Sequence, residues 1–130
     1  MSELASTIIL GFGFLIIKHT LGDFFLQTEY QLNNKGKYGH AGGLVHAGIH
    51  IGLTIPLFYL VPAVGGSTVL TVLIGEFALH YHIDWAKEQI VSRYKLTVDD
   101  PRFWRVFGLD QMAHGITYAA IMAVLVSTAS

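Results

Sequence analysis

Four stretches of the chain are apolar over about the 20 residues that a helix needs to cross roughly 30 Å of hydrocarbon. They run over about 4–26, 41–62, 67–88 and 106–128, and each admits a few polar residues. The first and third are interrupted near their C-terminal ends. Spans two and three are joined by the turn Val61-Pro62-Ala63-Val64-Gly65-Gly66, whose Pro and two Gly suit a short hairpin connection. The other connections, 27–40 and 89–105, are longer and polar. The pattern predicts an all-α fold: one transmembrane domain over residues 1–130, built as a four-helix up-down bundle.

The polar residues inside the spans are not scattered. Each span carries one pair spaced by four: His19 and Asp23, His46 and His50, His80 and Asp84, Asp110 and His114. Residues i and i+4 stack on one helix face, about 6 Å apart along the axis. The pairs of spans one and three lie near C-terminal ends, and those of spans two and four near N-terminal ends. An up-down bundle therefore sets all four at one level. The register predicts two layers, an outer one of Asp23, His46, Asp84 and Asp110 and an inner one of His19, His50, His80 and His114.

Composition agrees with a lipid environment. The chain is 52 % hydrophobic and only 13 % charged, where a soluble domain carries about a quarter charged residues. A soluble bundle with a very apolar core is the alternative, and a fourth span without charge after Asp110 argues against it. A net charge of −1 offers nothing to nucleic acid, and the absence of Cys excludes disulfides and thiolate ligands. The first span has no Lys or Arg ahead of it and no small-residue cleavage site, so it reads as a retained span rather than a signal peptide.

Charge also orients the bundle. Lys35 and Lys37 lie in the first connection, Arg93, Lys95, Arg102 and Arg105 in the second, and Lys18 and Lys87 on span ends facing the same side. By the positive-inside rule that side is cytoplasmic. The protein is expected in the inner membrane with both termini outside and the His/Asp level facing the cytoplasm. Tyr94, Phe103 and Trp104 suit an interfacial segment over about 89–105.

Ionisable groups in hydrocarbon are costly and face a partner inside the bundle. Metal coordination satisfies several His and carboxylates at once, and this donor set suits zinc first, or iron, manganese or nickel. The expected ligands are His19, Asp23, His46, His50, His80, Asp84, Asp110 and His114, for one or two divalent ions. Asp84, Asp110 and, one turn deeper, Glu76 are the candidate acid–base groups. His82 points to another face than His80, and His40 sits at a loop–helix boundary. Gly42, Gly43, Gly48 and Gly52 would let the second span pack closely.

His19-Thr-Leu-Gly-Asp23-Phe24 and His80-Tyr-His-Ile-Asp84-Trp85 share H-x-x-x-D-aromatic, the trace that two repeated helical hairpins would leave. Together with Gln27, His46-x-x-x-His50, Lys87 and Asp110-Gln111-x-x-His114, these strings resemble the bacterial and phage membrane family called domain of unknown function 3307. That family implies no activity. More distantly the chain is similar to predicted inner-membrane metal-dependent hydrolases described as LexA-binding. Its paired H-x-x-x-D helices resemble zinc-dependent phospholipase C enzymes.

The sequence leans to a metal-dependent hydrolase acting on a phosphate ester or lipid headgroup, with membrane lipid as its surroundings. Lys18, Lys87, Arg102 and Arg105 would orient the phosphate or, more simply, anchor the cytoplasmic side. A metal or proton transporter ranks lower, because beyond Glu76 only scattered Thr and Ser, such as Thr54, Thr71 and Thr117, offer a polar route. Haem is disfavoured by an Asp beside nearly every His. A non-enzymatic metal-stabilised protein remains an alternative, and so small a bundle is open to homodimerisation.

Overall fold

The computed structural model describes residues 2–61 and 64–129, and over these the chain is helical without a strand. Its helices are α1 (Glu3–Thr20), α2 (Glu29–Asn34), α3 (Ala41–Thr54), α4 (Gly66–Arg93) and α5 (Pro101–Thr128). Pro62 and Ala63 of the predicted tight turn lie outside the described residues.

Local chemistry sets the boundaries. Ser2 caps α1, accepting from the Ala5 amide, and α2 opens on a capping box in which Thr28 and Gln31 exchange hydrogen bonds. His40 caps α3, its Nδ1 accepting from the Gly42 amide at 3.0 Å, so this histidine has a structural task. Pro56 lacks an amide hydrogen, and there α3 tightens into a 3-10 turn over Ile55–Tyr59. At the end of α1 the chain widens instead, into a π-turn over Leu21–Phe25 that carries Asp23. Asp84 sits inside regular α4, so the two H-x-x-x-D strings differ locally despite their shared pattern.

The polar segment predicted over 89–105 is shorter than its composition suggests. α4 runs on to Arg93 and α5 begins at Pro101, with Asp100 capping it through the Arg102 amide. Proline at the first helical position forfeits no hydrogen bond, which favours the early start. The first connection also gains structure, because α2 folds back against α3.

α1 packs on α3 and α5, and α4 packs on the same two. One end of this assembly is an apolar core of Leu15, Leu57, Val61, Val72, Tyr118, Ile121, Met122 and Leu125. At Gly11 a Cβ would stand 2.5 Å from the end of Met122, so the missing side chain permits the close approach of α1 and α5. Of the α3 glycines, Gly42 and Gly43 sit against Asn34, Lys35 and Tyr81, whereas Gly48 and Gly52 face open space and mediate no packing.

Among the described residues, three segments are long and apolar enough to cross a membrane: Glu3–Phe25, Ala41–Tyr59 and Pro101–Thr128. The fourth expected span, α4, is 28 residues long but is not one of them. Its middle holds Glu76, His80 and Asp84, all buried, while Leu70, Ile74 and Leu79 point outward. Its mean hydropathy is lowered both by these inward-facing residues and by exposed polar ones toward its C-terminal end, such as His82 and Arg93.

Candidate metal centre

Opposite the apolar core, the four paired motifs converge. α1 and its π-turn bring His19 and Asp23, α3 brings His46 and His50, α4 brings His80 and Asp84, and α5 brings Asp110 and His114. All eight expected ligands fall into three overlapping groups: Asp23, His46, His50 and His80; His19, His80 and His114; and Asp84, Asp110 and His114. Within each group the ligand atoms lie within 4.8 Å of one another. The side chains are nearly sealed from solvent, His50 completely so.

The predicted two layers do not survive as separate shells. Asp23 and His46 of the outer layer join His50 and His80 of the inner one, and Asp84 and Asp110 join His114. An imidazole is long enough to bridge the ~6 Å axial step of an i,i+4 pair, so neighbouring turns interleave.

The spacing of donor atoms is informative. Asp84 Oδ2 lies 3.0 Å from His46 Nε2 and 3.4 Å from His80 Nε2, and those two nitrogens are 3.3 Å apart. Asp23 Oδ1 lies 3.1 Å from His46 Nε2 and 3.0 Å from His50 Nε2. On the other side, His114 Nε2 lies 3.5 Å from Asp84 Oδ1 and 3.6 Å from Asp110 Oδ1. Ligand atoms about 2.0–2.1 Å from a tetrahedral zinc stand about 3.4 Å from each other, and the observed separations bracket that value.

Hydrogen bonding alone does not account for this crowding. A ring nitrogen carries at most one proton, yet His46 Nε2 faces two carboxylates and a second imidazole nitrogen. Asp84 Oδ1 and Oδ2, Asp110 Oδ1 and His114 Nε2 are buried without a hydrogen bond among the described residues, despite their short distances. Buried polar atoms of this kind call for a partner. The donor set therefore fits divalent metal. Support on the far side of the ring, usual for metal-bound imidazoles, is present at His19, whose Nδ1 lies 2.8 Å from Tyr118 Oη. The Nδ1 atoms of His46, His50 and His80 have no partner among the described residues.

Local sequence explains much of the placement. Gly22 lies against the His50 ring, and a Cβ there would collide with it, so glycine lets the π-turn approach α3. Gln111 donates to Asp110 Oδ2 at 3.0 Å, and its Oε1 lies 3.2 Å from His19 Nε2, so it links α5 to α1. Gln27 donates to the Asp23 carbonyl oxygen at 3.0 Å.

Several expected roles change. Glu76, expected as an acid–base group rather than a ligand, is buried one turn deeper than the cluster in an ion pair with Lys18. Lys18 itself, read as a cation at the cytoplasmic end, is 2 % exposed and lies over the Tyr118 ring. Lys87 pairs with Glu88, and Arg102 grips Asp100, whose carboxyl it holds below the ordinary carboxylate range. His82 is exposed beside Tyr38 and away from the centre, as its position two residues from His80 predicts. Two residues at the centre escaped the sequence reading. Tyr118 looks like any aromatic in an apolar span. Lys35 looks like an ordinary loop cation, yet it is 5 % exposed with Nζ 3.6 Å from Asp84 Oδ2. Its depth depends on α2 folding back, which no local pattern announces.

Among the described residues, an all-helical fold with three segments long and apolar enough to span a membrane and a buried His/Asp cluster defines the class. The chain belongs to the family described as "Protein of unknown function (DUF3307)", whose model matches residues 12–130. No curated protein and no solved structure matches it.

Proposed function

We propose that the protein is a membrane-embedded metalloprotein that holds one or two divalent transition ions, zinc foremost, and hydrolyses a phosphate ester or lipid headgroup at the cytoplasmic face. The observation that carries the reading is the triangle of His46 Nε2, His80 Nε2 and Asp84 Oδ2, with mutual separations of 3.0–3.4 Å. Asp23, His46, His50 and His80 would hold one ion, and Asp84, Asp110 and His114 a second. Asp84 lies between the two sets, with Oδ2 toward His46 and His80 and Oδ1 toward His114, and would be available to either ion.

Support for the membrane comes from the outward faces. Ile9, Leu10, Ile17, Phe25, Ile74, Leu109 and Ile116 are each more than half exposed, and so many exposed large apolar side chains on a small chain suit a lipid surrounding. α4 then crosses with the other three as an up-down bundle, its acidic and imidazole groups turned inward. Lys37, Arg93, Lys95, Arg102 and Arg105 place the connections on the cytoplasmic side.

A bound divalent ion supplies Lewis acidity and a water of lowered pKa. The chain's own part is positioning. Asp110 would serve as a ligand through Oδ1, while its Oδ2 is held by Gln111 at 3.0 Å. A groove of about 220 Å³ between α4 and α5 is lined mainly by apolar residues such as Ile83, Ile90, Val106 and Leu109, with Lys87 and Asp110 also on its wall. This groove favours a substrate with an apolar tail over transport, which needs a polar path through the apolar core.

Elemental analysis of gently purified protein tests the reading. Near-stoichiometric transition metal is expected, with His80→Ala losing it and His82→Ala retaining it; metal-free wild type would sink the proposal. For orientation, a cysteine at position 37 should react with an impermeant reagent from the cytoplasm and one at position 65 from outside.

A further inference from the structure

Two lysines are buried in this protein, and they are spent differently. Lys18 is saturated. It is ion-paired with Glu76, its Nζ lies 3.4 Å from the His50 carbonyl oxygen, and it stands 4.7 Å from the centre of the Tyr118 ring. Lys35 has one carboxylate within 4.0 Å, Asp84, and at 3.6 Å that contact is longer than a hydrogen bond. Among the described residues its Nζ makes no hydrogen bond, so its three donors are uncommitted.

Lys35 is also held in place. Its amide donates to the Gln31 carbonyl oxygen at 2.9 Å, closing α2. Gly43 of α3 sits against its backbone, where a Cβ would lie 3.3 Å from the Lys35 Cα. The next residue, Gly36, is anchored on α4: its carbonyl oxygen accepts from Gln89 at 2.6 Å, and it packs on Glu88. A long, flexible side chain is thus fixed at its base on three helices and brought to the edge of the cluster.

From this we infer that Lys35 is the anion-binding residue of the centre, contacting a non-bridging oxygen of a phosphoryl group held beside Asp84. The inference rests on the metal reading above. Once Asp84 is shared with a divalent ion, its charge no longer neutralises Lys35. With neutral imidazoles, the acids Asp23, Asp84 and Asp110 set against two divalent ions and the Lys35 ammonium leave two positive charges. That excess matches a phosphate monoester dianion. In a nearly water-free site a compact ammonium with free donors binds such an oxygen strongly. Lys87 and Arg102 are taken by Glu88 and Asp100, which leaves Lys35 as the buried cation available there.

The experiment compares full-length wild type, Lys35→Gln, Lys35→Arg and Lys37→Gln in detergent with zinc. Metal content is measured by elemental analysis, and binding of inorganic phosphate and of a short-chain phosphatidic acid by calorimetry. Lys35→Gln should keep the wild-type zinc content and lose about tenfold or more in affinity for both probes. Lys35→Arg should recover part of it, and Lys37→Gln should match wild type. The tighter probe identifies the source of the phosphoryl group, free phosphate or lipid headgroup. Unchanged phosphate binding in Lys35→Gln would reduce Lys35 to a neutraliser of Asp84 and overturn the inference. So would loss of zinc in that variant, or a zinc-loaded wild type that binds neither probe. A wild type without zinc overturns the metal reading first and this inference with it.

Discussion

The two ends of the helical assembly solve the burial problem in opposite ways. At one end Leu15, Leu57, Ile121, Met122 and Leu125 fill the interior with apolar groups that need only shape complementarity. At the other, His19, His46, His50, His80, His114, Asp23, Asp84 and Asp110 bury donors and acceptors that need partners. The seam between them is the Lys18–Glu76 ion pair, with Thr54 beside it bonded to the His50 carbonyl oxygen at 3.0 Å. The lesson is that the apolar end can hold the helices together, whereas the polar end costs stability unless something outside the chain satisfies it.

Breaking the seam should have the largest effect on stability. Glu76→Gln leaves the Lys18 ammonium buried without its counter-charge, at a cost of about 3–5 kcal/mol. A lowered unfolding midpoint with metal content retained is expected; loss of metal at unchanged stability would mean that Glu76 belongs to the centre after all. Gly22→Ala sharpens the comparison from the other side. Its Cβ would push the His50 ring off position, at about 1–3 kcal/mol, and here metal occupancy should fall along with the midpoint. A change outside both clusters should be smallest. Lys95 closes α4 with φ of 50°, and the Leu96 amide bonds the Val91 carbonyl oxygen at 2.9 Å in the manner of a Schellman cap. Lys95→Gly relieves that left-handed conformation and should stabilise by about 1 kcal/mol without touching metal content, as thermal unfolding would register.

Much of this was legible in one dimension. The i,i+4 pairs named all eight converging residues, because a helix puts such residues on one face and only one depth register brings four such faces level. His82 was separable from His80 by the same geometry. What was hidden depended on departures from regular helix or on the path of a connection. The π-turn at Leu21–Phe25 alters how Asp23 is presented, and the interleaving of turns dissolved the expected layers. Glu76 extends the ligand stripe by one turn, yet a lysine on another helix claims it.

The helical class, the family and the membership of the His/Asp cluster were readable from the sequence, since each follows from periodicity and motifs in the four segments taken together. Tertiary structure decided how the charges are spent. Lys18 and Lys35 are the same residue type near the same end of the chain's polar register. Glu76 on α4 neutralises the first and the His50 carbonyl oxygen on α3 accepts from it, while the fold of α2 delivers the second to Asp84 with its donors uncommitted. Electrostatic pairing depends on distances between segments far apart in sequence, and those exist only once the helices have packed.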